Sequence, residues 1–189
     1  MLRRSFLVAG CLALAGCIGQ PVAQYLVDPP VSKLRLRPFV NSIEVRDVSL
    51  PRYASGDEIA LQGSDGAVRS LRKTAWADVP QRAVSLTLAR NLAAILNIRV
   101  STEPWPFAEP PAVEVAVTAD RLLVGSDGIL RFSGLYAIAP RSSELSDRSG
   151  QFDIQVPVSG GEENLNGVAA AHGAALVQLS ETIARRLGR

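Results

Sequence analysis

The alternation of apolar and polar positions divides the chain into a greasy leader, a set of short strands and two helices. From Phe6 to Leu14 the run is apolar apart from small residues, and it is too short to cross a bilayer, which takes about 20 apolar residues. After a short tether the pattern becomes that of a folded domain. Tyr25-Leu26-Val27 reads as a strand stopped by Pro29-Pro30, because proline lacks the donor a strand ladder needs. Ile43 to Val48 alternates as a half-buried strand ended at Pro51. The tetrapeptide Gly-Ser-Asp-Gly occurs twice, at 63–66 between Glu58–Gln62 and Ala67–Leu71, and at 125–128 between Arg121–Val124 and Ile129–Ser133. Asp-Gly between such runs predicts two hairpins, since the tight turn needs a positive φ. The flanking strands do not match, so the repeat reads as shared turn chemistry rather than duplicated halves.

Val84, Leu88, Leu92 and Ile95 fall on one face at helical spacing and predict a helix over 78–97. Asp78 is placed to cap it with Gln81 as capping-box partner, and Pro80 is tolerated in the first turn. Arg82, Ser85 and Arg90 lie off the stripe and are expected to be wet. Ile98–Val100 resumes as a strand, stopped by the proline-rich segment 103–111. Val113, Val115 and Val117 begin a long strand, Leu130 to Ile138 continues one parity beyond the second hairpin, and Phe152 to Val158 adds another. Leu165, Val168, His172, Leu176, Leu179, Ile183 and Leu187 predict a closing helix over 165–187. Ala169–Ala171 and Gly173–Ala175 keep that helix slim, which favours close approach to a sheet or to another subunit. These elements predict one layered α/β domain: a mixed, largely antiparallel sheet of about six or seven strands with two long helices on one face. The other sheet face is then expected to need a cover, from a partner or a second copy.

The leader changes how charge and cysteine are read. Arg3-Arg4, the apolar run and small residues before a cut site make a secretory signal. Leu14-Ala15-Gly16-Cys17 resembles the lipobox of bacterial lipoproteins, with cleavage between Gly16 and Cys17 and diacylglyceryl and N-acyl groups on Cys17. Arg3-Arg4-Ser5-Phe6-Leu7 resembles a twin-arginine export motif, although two arginines equally serve the general secretion route. The expected division is a signal over 1–16, a lipidated tether over 17–24 and the domain over 25–189. Without Arg3 and Arg4 the 20 basic residues fall to 18, equal to the 18 acidic ones, so there is no general electrostatic case for nucleic acid. Cys11 leaves with the signal and Cys17 is lipidated, which leaves no thiol for a disulfide or a metal site. No cofactor or metal is expected beyond the lipid, and membrane attachment is expected through that lipid alone.

Among candidate residues, His172 is the one histidine. It reads as a packed helix residue rather than a general base, because no nucleophile partner is evident. Tyr53 and Trp76 stand beside turn-like sequence and read either as aromatic anchors for a partner or as core plugs. Trp105 and Phe107 are held between prolines, either as a compact sticky patch or as a loop folded back over the sheet. Glu162-Glu163 and Arg185-Arg186 read as solvated ends of a turn and a helix.

From Ile43 onward the residues also resemble a known family. Ile43-x-Val45-x-x-Val48-x-Leu50-Pro51-x-Tyr53 resembles a stretch of the PqiC/YmbA-type lipoproteins, auxiliary components of ABC-type transport. Tyr25-x-Val27 matches just after the tether, and Trp76-Ala77, Leu88-x-x-Asn91-Leu92-x-x-Ile95-Leu96 and Leu176-x-x-Leu179-x-x-x-Ile183-Ala184 match further along. The Pro104–Pro111 insert has no place in that pattern. The resemblance implies a role beside MCE-domain lipid carriers and their permease and ATPase, docking the carrier from the outer membrane, with assembly into homo-oligomeric rings. It implies no catalytic residues, so the protein is not expected to be an enzyme. Ile18, following Cys17, is not aspartate, which favours the outer membrane over the inner. The alternative function is a structural lipoprotein of another envelope assembly or export machine.

Overall fold

The computed structural model describes residues 21–142 and 145–189; the lipobox and the signal cut site at Gly16 and Cys17 lie outside the described residues. The sheet is built around one long strand, β7, over Val113–Val124. On one side it pairs antiparallel with β8, Ile129–Pro140, which pairs antiparallel with β9, Arg148–Pro157. Its other side is shared. The start of β7 pairs in parallel with β2, Ser42–Val45, and β2 pairs in parallel with β6, Arg99–Thr102. At the far end, Val124 pairs with Leu61 of β3, Ala60–Gln62, which forms a hairpin with β4, Val68–Ser70. A separate parallel pair joins β1, Ala23–Tyr25, to β5, Thr74–Trp76.

Two helices, α1 over Pro80–Leu96 and α2 over Leu165–Leu187, pack on one face of the sheet and against each other. The expected mixed α/β layer is therefore the observed one. Val84, Leu88, Leu92 and Ile95 of α1 are buried, as are Val168, Leu176, Leu179, Ile183 and Leu187 of α2. They meet inward residues of the strands, with Phe132 and Phe152 edge to face at 4.8 Å. Where the helices meet, Asn91 Nδ2 donates to Ser180 Oγ at 3.3 Å, so this buried polar pair is satisfied.

Both predicted hairpins form, and they share one construction. In each turn the last glycine has positive φ, 81° at Gly66 and 69° at Gly128. The turn aspartate accepts from the backbone two residues on, Asp65 from Ala67 N and Asp127 from Ile129 N. An arginine four residues on then grips the same carboxylate, Arg69 on Asp65 and Arg131 on Asp127, each with a 2.5 Å contact. These arginines hold both carboxyls below the ordinary range, Asp127 at about 2. The shared sequence motif therefore extends to Gly-Ser-Asp-Gly-x-x-Arg.

Several expectations are corrected. Asp78 and Gln81 do not form a capping box: Val79 holds the cap position without a side-chain bond. Asp78 instead accepts from Val79 N and pairs with Arg82, while Gln81 Oε1 is buried with no partner among the described residues. Pro80, fixed in φ at the first helical position, starts the helix without that cap. Ser85 is not wet but 1 % exposed, because its hydroxyl takes the Val48 amide at 3.1 Å and donates to Gln81 O. The first strand is Ala23–Tyr25, earlier than the apolar triplet at 25–27. The far sheet face is open in the single chain, with Leu135 53 % exposed on it. Thr118, Leu135, Ala137, Ala139, Gln151, Asp153 and Gln155 point outward and are exposed, and an antiparallel sheet tolerates one wet face.

The inward parity of β7 changes part-way along. Val113, Val115, Val117 and Ala119 are buried, then Leu122 and Val124. The shift is a bulge at Asp120, between Ala119 and Arg121. Gly134 faces it so closely that a Cβ there would sit 2.2 Å from Thr118 O. Gly134→Ala is expected to destabilise the domain by about 2 kcal/mol or more, read from urea unfolding midpoints. Gly56→Ala, with nothing within 4 Å, should leave stability within about 0.5 kcal/mol of the parent.

Candidate functional site

The chain after the tether builds the site. Beyond β1, Asp28 and Pro29 lie against Gly173 of α2, where a Cβ would fall 2.8 Å from Pro29 Cα. Further along, Ser32 Oγ donates to Glu181 Oε1 at 2.6 Å and Leu36 N donates to Ile95 O at 3.0 Å. Arg37 and Phe39 bond to the last residues of the chain. Residues 23–40 are thus a strap crossing both helices. The slim face of α2, read above as a place for a sheet or a second subunit, is filled by this strap.

Between the strap, the β5 strand, the 3-10 turn at Arg52–Ala54 and α1 lies an apolar cavity of about 120 Å³. Tyr25, Tyr53, Trp76 and His172 are among its lining residues, over a floor that includes Val84, Leu122 and Leu176. Backbone bonds set the aromatic walls. Trp76 N donates to Asp57 O at 2.7 Å, and Ala77 N donates to Tyr25 O at 2.9 Å. The Tyr53 hydroxyl accepts from Leu122 N at 3.3 Å, just past the bulge of β7. Tyr53 and Trp76 are therefore brought together, half-buried, as two walls of one pocket.

His172 closes one side of that pocket. Its ring meets the Trp76 ring edge to face at 4.8 Å, and Nδ1 lies 2.8 Å from Val168 O of its own helix, which assigns the proton to Nδ1. Burial pushes its pKa down to about 4, against the smaller opposing effect of the Val168 carbonyl. The imidazole is consequently neutral at physiological pH and packed, as the sequence reading favoured.

Trp105 and Phe107 stand apart from this pocket. Their rings meet edge to face at 4.9 Å, the Arg99 guanidinium sits 4.8 Å over Phe107, and Trp105 Nε1 donates to Glu109 O at 2.6 Å. The loop is braced by its own carbonyl and by β6, with Phe107 43 % exposed and Trp105 half-buried. The sticky-patch reading fits Phe107 better than a loop folded over the sheet.

Sequence reasoning did not assign Tyr25, Leu26, Ala83, Thr87 or Arg90 to a site. Ala83, Thr87 and Arg90 follow a spacing of four and three on α1, a second stripe beside the buried one, and that spacing is the signal that was present. Among the described residues no group of three or more His, Cys, Asp or Glu is placed to hold a metal ion, and no helix is long and apolar enough to cross a membrane.

A family model described as ABC-type transport auxiliary lipoprotein component matches residues 25–184. The chain belongs to that family. Members are auxiliary transport components rather than a class of enzyme. In sequence, no curated protein matches it. Several solved structures share the fold, two of them as follows. One is described only as an uncharacterized protein, at 21 % identity and TM-score 0.68, covering 88 % of this chain and 99 % of that one. The other is protein XCC0632 from Xanthomonas campestris, of the DUF330 family, at 17 % identity and TM-score 0.65, covering 85 % and 92 %.

The depressed His172 pKa sets a pH dependence. The unfolded chain takes up a proton near the ordinary imidazole value of 6.5 while the folded chain resists until about 4. In that interval the unfolded state binds more protons, so stability falls as pH drops from 6.5 to 4 and no further below. The loss across that interval is about 3 kcal/mol. Urea midpoints compared at about pH 7 and about pH 4.5 should show it in this auxiliary lipoprotein, and His172→Gln should remove that part of the difference.

Proposed function

We propose that this auxiliary lipoprotein is a docking subunit for an MCE-domain carrier of an ABC-type lipid transport system. The observation that carries the reading is the match to the auxiliary family across residues 25–184, behind a lipobox ending at Cys17. Its mechanism is positional. Acyl groups on Cys17 fix the chain to the periplasmic face of the outer membrane, and the domain offers a protein surface to the carrier beneath the permease and ATPase. Sorting to the outer membrane is favoured by Ile18 after the lipidated cysteine.

The docking surface we favour is the Trp105–Phe107 loop. A rigid aromatic pair braced by Arg99 presents apolar area without ordering a floppy segment on binding. Tyr53 and Trp76 are less suited to a flat contact, because they form the walls of a concave pocket. Ring assembly rests on the family resemblance alone, since the Gly173 face belongs to the strap.

A photocrosslinking residue in place of Phe107, in cells making the native lipoprotein, is expected to give an adduct with an MCE-domain protein. Trp105→Ala should reduce adducts placed at neighbouring positions such as Ala108 without lowering the amount of protein. Adducts only with polysaccharide-export or other envelope-assembly proteins would transfer the reading to a structural lipoprotein of such a machine. A Cys17→Ala chain should be lost from membranes.

A further inference from the structure

The pocket beside Trp76 has a chemistry that docking to a carrier does not use. Its floor of Val84, Leu122 and Leu176 is buried, while Leu26, 67 % exposed, and Leu86, 37 % exposed, extend the apolar lining outward to solvent. Along α1 the lining residues run from Pro80 through Ala83 and Thr87 to Arg90. At 1.5 Å per helical residue that wall is roughly 15 Å long, a trough rather than a round cavity. Its charged members are two. Asp78, at one end, is engaged by Arg82. Arg90, at the other, is exposed and has no carboxylate partner among the described residues.

An apolar trough ended by one unpaired guanidinium is complementary to one kind of ligand. We propose that it binds a single-chain anionic amphiphile, with the hydrocarbon chain along the α1 wall against Trp76 and the anionic head on Arg90. Removing the chain from water supplies the affinity, and the guanidinium selects the head by charge-assisted hydrogen bonds. His172 supplies no positive charge near neutral pH, so the head group is directed to Arg90 rather than to the centre of the pocket. A polyanion such as a nucleotide is disfavoured, because one cation and so few donors line the walls. A neutral apolar side chain of a partner protein would fill the floor but leave Arg90 unused. The inference goes beyond the docking role and does not depend on which carrier is engaged.

The test uses the full chain with Cys17→Ala, which removes its own acyl groups, and Trp105→Phe, which leaves Trp76 as the one tryptophan of the two. Titrating dodecanoate below its micelle concentration is expected to give a saturable change in Trp76 emission. Arg90→Ala should weaken dodecanoate by about tenfold while leaving the neutral analogue dodecanol unchanged. Ala83→Leu, which fills the trough from its wall, should weaken both, with circular dichroism confirming the fold. If Ala83→Leu does not fold, the dodecanoate-to-dodecanol ratio with and without the Arg90 side chain decides alone. No saturable change, or a ratio that Arg90→Ala leaves the same, would overturn the proposal.

Discussion

A strap of extended backbone, residues 23–40, is the element on which the rest of the arrangement depends. It crosses α2 where the helix has no side chain, at Gly173, and no larger residue leaves room for Pro29 there. From that crossing it is tied by backbone bonds to both ends of the layer. Tyr25 O receives the Ala77 amide, Leu36 N reaches Ile95 O, and Phe39 N reaches Leu187 O. The last two satisfy carbonyls in the final turns of α1 and α2, which have no partner within their own helix. The strap begins a few residues after Cys17 in sequence. This segment of the chain also forms one wall of the pocket through Tyr25, Leu26 and Val27.

The second constraint is β7. A single long strand serves three neighbours, with β8 along one edge and β2 and β3 dividing the other. The bulge at Asp120 lets one strand do this, because it returns inward parity to Leu122 and Val124 after the stretch that faces β2. Leu122 then supplies both a floor residue of the pocket and the amide that holds the Tyr53 hydroxyl. The pocket thus arises where the strap, the bulged strand and the second stripe of α1 meet, and each of the three is set by backbone geometry as much as by side-chain choice.

That origin explains how much could be read in advance. The two helices, both hairpins, the long β7–β9 strands and the layered α/β class follow from periodicity and turn chemistry, which are local signals. The capping of α1 was misread because Asp78 and Gln81 have the right spacing, whereas a proline at the first helical position removes the need for the box. Ser85 was misread as wet because a lone serine on a helix carries no mark of the strand amide it will bind. The strap was not read from the sequence: Lys33 to Arg37 alternates polar and apolar residues, but its partners are distant, 59 positions from Leu36 to Ile95 and 149 from Ser32 to Glu181. Tyr53 and Trp76 read from the sequence as aromatic residues with a choice between interior and surface. Their observed place, as walls of a shared concavity, lies between those two options and needed the tertiary contact with His172 to be seen.

Hydrogen exchange on the chain carrying Gly173→Val tests the strap most directly. The branched side chain cannot coexist with Pro29 at its present distance, so the strap must lift from α2. The account predicts that the Leu36 and Ala77 amides lose protection while those paired between β7, β8 and β9 keep theirs, since local opening need not breach the core. Unchanged protection at Leu36 and Ala77, or an equal loss across all three strands, would contradict it.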